Sequence, residues 1–270
     1  MSKIGTSKMR SFLVLPVIAA VALGAVALSY SPAKASSEGP EMEKIEWSFN
    51  GPFGTYDRNQ LRRGYKVYKE VCATCHSMHF VHFRNLAEKG GPEFTEGQVK
   101  TLAAEVTVQD GPDASGEMFE RPGEARDVFP SPYANEEAAA AVLGAPPPDL
   151  SVIAKAREGG PDYIHALLTS YTDAPADVTL PAGGHYNPVF TAGSGIIAMP
   201  APLSDGQVEY EDGTPNTVDQ MSRDVSAFLM WTAEPKLEQR KTLGFQVMLY
   251  LVALAGLLYF VKRKVWADVH

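Results

Sequence analysis

Cysteine is almost absent from this chain: 270 residues contain two, and both fall within the single stretch Val71-Cys72-Ala73-Thr74-Cys75-His76. A multi-disulfide scaffold is therefore excluded. A structural zinc site lacks support, because it would need a second cysteine or histidine pair, and a thioredoxin-like dithiol would need an alternating strand–helix pattern that the sequence does not show. Basic stripes are missing too, which argues against nucleic acid as a partner. Internal repeats are absent, so solenoids and propellers are excluded.

What is present is the spacing Cys72-x-x-Cys75-His76, the pattern of covalent c-type haem attachment. The chemistry sets that spacing. Two thiols add to the two vinyl groups of one porphyrin, and a histidine directly after the second thiol can bring its imidazole under the iron. The sequence thus predicts one covalently held haem c.

The two ends place the chain relative to a membrane. Lys3, Lys8 and Arg10 precede an apolar run from Phe12 to about Leu28 and the small-residue site Ala33-Lys34-Ala35. This order predicts a secretory signal over residues 1–35 cleaved after Ala35, with a retained N-terminal anchor as the alternative. Near the other end, Leu243 to Val261 form an apolar run of 19 residues interrupted only by Gln246. That predicts a transmembrane helix over 242–262, and Lys262-Arg263-Lys264 assign its far end, the tail 263–270, to the cytoplasm. Residues 36–241 are then an exported domain, periplasmic in a bacterium. It carries 17 basic and 31 acidic side chains, a formal net charge of −14. The acidic segments Asp110–Asp127 and Asp205–Asp212 are candidate docking patches for a basic partner, with ordinary solubility as the alternative.

Helical spacing recurs at Leu61, Tyr65 and Tyr68 after a cap at Asp57 or Asn59, with Gly64 interrupting the helix at a point where either a close helix contact or local weakness would explain it. Thr217 to Gln220 reads as a capping box ahead of an apolar stripe that ends at Pro235, and a third helix is predicted from Gly160 or Pro161 to Leu168. Glycine and proline predict irregular loops elsewhere, above all from Asp173 to Asp212. The expected fold is mainly α: a cytochrome c-like haem domain with long irregular loops, plus one C-terminal transmembrane helix.

Iron needs a second axial ligand besides His76. Met78, His79 and His82 lie too close to His76 in the chain to reach the opposite haem face without a long detour. Met221, Met230 and His165 fall on predicted helices, where packing explains them better. Met118 is a further candidate. Met199, in the proline-stiffened apolar stretch Gly195–Pro202, is the preferred ligand, and His185, in Gly183-Gly184-His185, is the rival. His/Met ligation favours an electron carrier, whereas an open or displaceable position would suit a haem sensor or peroxidase.

Beyond the haem motif, the segments Val71–Arg84, Val108–Gly111, Gly116–Phe119 with Arg121-Pro122, Pro147–Ser151, Asp212–Pro215 and Ala233–Pro235 follow one another in an order that resembles cytochrome c1, the c-type haem subunit of the cytochrome bc1 complex. The resemblance covers the exported region and the C-terminal anchor. It implies thioethers at Cys72 and Cys75, axial ligands His76 and Met199, and Arg121 and Tyr133 facing the haem propionates. It also implies quinol–cytochrome c reductase as the enzyme, with this chain as an electron-transfer subunit that makes and breaks no substrate bond. Implied partners are a cytochrome b subunit, a Rieske iron–sulfur protein as donor and a soluble or tethered cytochrome c as acceptor, in a dimeric complex of the bacterial inner membrane. A free-standing tethered shuttle is the alternative. Some bacterial members carry a further cysteine pair near the methionine; here that loop must rely on packing and on its prolines.

Overall fold

A computed structural model describes residues 42–269. The expected signal and its cleavage site lie outside the described residues.

Helix α1, Arg58–Glu70, starts where Asp57 accepts hydrogen bonds from the backbone N–H groups of Asn59 and Gln60. It buries Leu61, Tyr65 and Tyr68, the stripe expected from their spacing. After a 3₁₀ turn at Cys72–Thr74 and another at Phe83–Ala87 come α2, Glu96–Ala104, the hairpin β1, Thr107–Asp110, with β2, Phe119–Pro122, and α3, Glu136–Leu143. The short α4, Ile153–Ala156, is followed by α5, Pro161–Thr169, and by a two-residue antiparallel pair, β3, His185–Tyr186, with β4, Ile196–Ile197. Helix α6, Val218–Ala233, and the long α7, Leu237–Val265, complete the order.

Helix α6 is the hub. Its cap is the expected Thr217, whose side chain accepts from Gln220 N–H, and it is buried on nearly every side by α1, α4 and α5. A helix so enclosed must pair any charge that it buries. Asp224, fully buried, does so through Arg63 of α1, with Nε–Oδ2 at 2.9 Å and Nη2–Oδ1 at 3.1 Å. Phe228 fills the centre, its ring 5.8 Å from each of the Tyr65 and Tyr68 rings and 5.5 Å from Trp231.

Gly64 sits where α1 crosses α6. A Cβ there would stand 2.1 Å from Asp224 O and 2.7 Å from Phe228 Cβ, so the glycine is a close-contact device. The sign of one substitution discriminates this from local weakness. Helix propensity alone would make Gly64→Ala stabilising by about 1 kcal/mol. The overlap predicts the opposite, a loss on the order of 3 kcal/mol, read as a lower urea midpoint.

Helix α7 begins five residues before the expected membrane span and runs three beyond it. Its first turn belongs to the head: Leu237 is buried, and Glu238 receives Arg58 Nη1 at 2.6 Å, Arg58 Nη2 at 2.9 Å and the Tyr56 N–H at 2.9 Å. From Leu243 to Val261 most of its large apolar side chains are exposed, and it is the one helix among the described residues long and apolar enough to cross a membrane. The Arg58 bond lowers the Glu238 pKa. A depressed carboxylate stabilises fully above its unfolded value, about 4.3, and the contribution disappears as pH falls through the lower folded value. Thermal stability should therefore decline below about pH 4, and decline less steeply in Glu238→Gln.

Candidate functional site

Helix α1 ends at Glu70, and the tight turn after it is what groups the cysteine motif. Cys72 O accepts both Cys75 N–H at 3.1 Å and His76 N–H at 2.9 Å, so Cys72, Cys75 and His76 are gathered around one carbonyl. Both cysteines are free thiols, half-buried. Burial and the neighbouring Cys75 push the Cys72 thiol up to about 12. That is the reverse of a thioredoxin-type dithiol, whose attacking cysteine is lowered. One turn earlier, the buried Tyr68 hydroxyl has no hydrogen-bond partner among the described residues.

His76 is oriented from far along the chain. Its Nδ1 lies 2.8 Å from Pro148 O, a carbonyl 72 residues away. Because a carbonyl can only accept, Nδ1 must carry the proton, and Nε2 keeps its lone pair for a metal. Burial lowers the His76 pKa against opposition from the Pro148 bond and the Asp149 charge, which favours the neutral imidazole, the form able to bind a metal. Asp149 holds the rest of the loop: Ser77 Oγ and His79 N–H each donate to Oδ2 at 2.9 Å, and Ser151 N–H donates to Oδ1 at 2.8 Å. Burial alone would raise the Asp149 carboxyl, but the bonds from Ser151, His79 and Ser77 outweigh it and the pKa falls. Two thiols, an imidazole with a free Nε2 and a rigid backing loop fit a covalently attached haem.

Met199 lies two residues beyond β4, half-buried, with its backbone carbonyl accepting from Tyr171 Oη at 3.0 Å. Asn187, fully buried, fastens the same loop to α5 by donating from Nδ2 to Leu167 O at 2.7 Å. His185 pairs with Ile197 across β3 and β4, so it lies on the ribbon that Met199 follows by two residues. It also lines a shallow cavity of about 460 Å³ with Tyr171 and Tyr186. The other histidines and methionines separate clearly. Met78 and Met221 are fully buried in the core, and His165 is buried with Nε2 2.9 Å from Asp219 Oδ1, a packing role. Met118 is exposed.

Arg121 sits on β2 and is already engaged. It gives Nη1 and Nη2 to Asp127 at 2.7 and 2.9 Å, a further Nη1 bond to Pro122 O, and Nε to Asp110. One Nη2 hydrogen remains for a further acceptor. Tyr133 is half-buried in the loop before α3, its carbonyl accepting from Ser131 Oγ at 2.7 Å. Part of the acidic patch is likewise spent: Asp110 and Asp127 face Arg121, and Asp212 faces Arg63 at 2.8 Å. Glu117 and Glu120 remain exposed, as does Glu211.

The family model that matches this chain is described as the Cytochrome C1 family and covers residues 47–269. Among curated proteins, the chain is 51% identical over 274 residues to "Cytochrome b/c1" of Bradyrhizobium diazoefficiens, an alignment covering 94% of this chain and 40% of that longer protein. It is 45% identical over 268 residues to "Cytochrome c1" of Rhodospirillum rubrum, covering 93% of this chain and 97% of the relative. It is 49% identical over 237 residues to the mitochondrial "Cytochrome c1, heme protein" of Saccharomyces cerevisiae, covering 87% and 75% respectively.

Proposed function

The chain belongs to the cytochrome c1 family, and on that premise we propose that it is the membrane-anchored monohaem subunit of a quinol–cytochrome c oxidoreductase. It would receive electrons from a Rieske iron–sulfur protein and pass them to a soluble or tethered cytochrome c. When bound, the haem supplies a one-electron couple; the chain's own residues hold and tune it. Cys72 and Cys75 would hold the haem through thioether bonds, and His76, through Nε2, and Met199 would hold its iron. A thioether needs no proton removed before it ligates, and Tyr171 and Asn187 keep its loop in place. Arg121 has one hydrogen left for a propionate, and Tyr133 is the second propionate partner in this reading.

The observation that carries the proposal is the Pro148 lock on His76, because it prepares the imidazole for a metal from outside the motif. The haem domain, 36–241, stands on the exported side and the tail after 262 in the cytoplasm, as the Lys262-Arg263-Lys264 cluster favours. Segment 110–127 carries six acidic and two basic side chains and is the surface proposed for a basic acceptor. Detergent extraction followed by sizing tests the assembly. The chain should elute with a b-type haem in one large complex; elution alone, still carrying c-type haem, would make it a free-standing shuttle.

A further inference from the structure

The segment leading into α1 alternates, with Ile45, Trp47 and Phe49 buried and Glu46, Ser48 and Asn50 exposed. Trp47 stacks on Phe49 at 5.4 Å, and Phe49 meets Tyr56 at 5.0 Å, so both sides of the intervening turn are pinned to the core. Asn50 N–H donates to Trp47 O at 2.9 Å and Thr55 N–H to Ser48 O at 3.0 Å, closing the turn. The turn is tight: a Cβ on Gly54 would stand 2.0 Å from Asn50 O. Its tip, Asn50-Gly51-Pro52-Phe53, carries no charge, and the Phe53 side chain is 73% exposed.

The position of that ring gives it a purpose. Lys241 of α7 donates from Nζ to Phe49 O at 2.6 Å and to Gly54 O at 3.1 Å, clamping the turn to the helix. The Phe53 ring meets the Phe245 ring edge-on, centroids 5.6 Å apart. Lys241 is the last cation before the apolar run, and Phe245 lies about 6 Å further along the axis. An ammonium above and an aromatic pair one turn below follow the polarity gradient of a bilayer interface. Phe53 therefore continues laterally the exposed apolar surface that α7 begins with Leu243 and Phe245.

We propose that the Asn50–Phe53 turn is a second membrane contact, an interfacial foot that inserts the Phe53 ring among the lipid acyl chains beside α7. The tip has no charge to desolvate, and the Phe49 and Gly54 carbonyls on either side of it are already satisfied by Lys241, so insertion leaves neither without a partner. The foot and α7 together hold the head at a fixed tilt to the membrane, through contacts that a single flexible tether could not give. This inference rests on α7 crossing the bilayer.

Photocrosslinking in native membranes tests it, with benzoylphenylalanine placed singly at Phe53, at Leu249 in the exposed middle of α7, and at the equally exposed Phe80 of the head. Mass spectrometry should find phospholipid adducts at positions 53 and 249 and none at 80. A position-53 probe that labels another protein subunit, or nothing, while position 249 labels lipid, overturns the foot and leaves the anchor standing. Failure of position 249 to label lipid would remove the anchor and the foot with it.

Discussion

Replacing both Cys72 and Cys75 with serine is expected to abolish covalent haem entirely, so that the denatured chain loses haem staining and acid acetone extracts all remaining porphyrin. Each single variant should retain one thioether and an intermediate stain. The expectation follows from the turn around Cys72 O, which gathers the Cys75 and His76 backbones, with no disulfide between the two cysteines. A structural consequence accompanies the chemical one. Val71, Cys72 and Ala73 pack against the main core, so a head lacking its cofactor loses part of its interior, and the amount of chain in membranes should fall steeply. Undiminished haem staining in the double variant would contradict the assignment.

Met199→Leu has the second largest expected effect. Leucine matches methionine in volume and should cost under about 1.5 kcal/mol in packing, yet it offers iron no lone pair. The midpoint potential should fall by on the order of 0.1–0.2 V, a modest part of the roughly 0.8 V that axial ligands command. The reduced protein should also bind carbon monoxide, which the unmodified protein should not. An unchanged spectrum would transfer the ligand to His185, which lies on the β3–β4 ribbon and would then be the residue whose loss opens the iron.

These assignments show which parts of the molecule local sequence can express. Helices α1, α5 and α6 were legible because their caps and apolar periods are contained within one segment, Asp57 and Thr217 being direct examples. Helices α2 and α3 are harder to read, although each carries a local signal: the Thr95–Gln98 capping box for one, and the Asn135 cap with Gly144 beyond the last turn for the other. Both are short, with only Val99, Ala103 and Ala139 buried, so the apolar stripe that marked the other helices is faint. Gly64 was ambiguous in sequence because its meaning depends on Asp224, 160 residues away. The cysteine motif and the Met199 loop could be read from residue chemistry, whereas the Pro148 bond to His76 and the Tyr171 bond to Met199 join distant segments and leave no local trace. The Arg121 pairings sit between these cases. Its two carboxylate partners are nearby in sequence, but only the folded hairpin shows that most of the guanidinium is engaged.

A redox titration of membranes carrying the unmodified chain, followed by visible spectra with and without carbon monoxide, tests the His76/Met199 carrier most directly. His76/Met199 ligation predicts a single c-type wave with the one-electron slope of about 59 mV per tenfold change in ratio, at a potential typical of that ligand pair and unmoved by carbon monoxide. A wave that carbon monoxide shifts, or a c-type signal absent altogether, would contradict it.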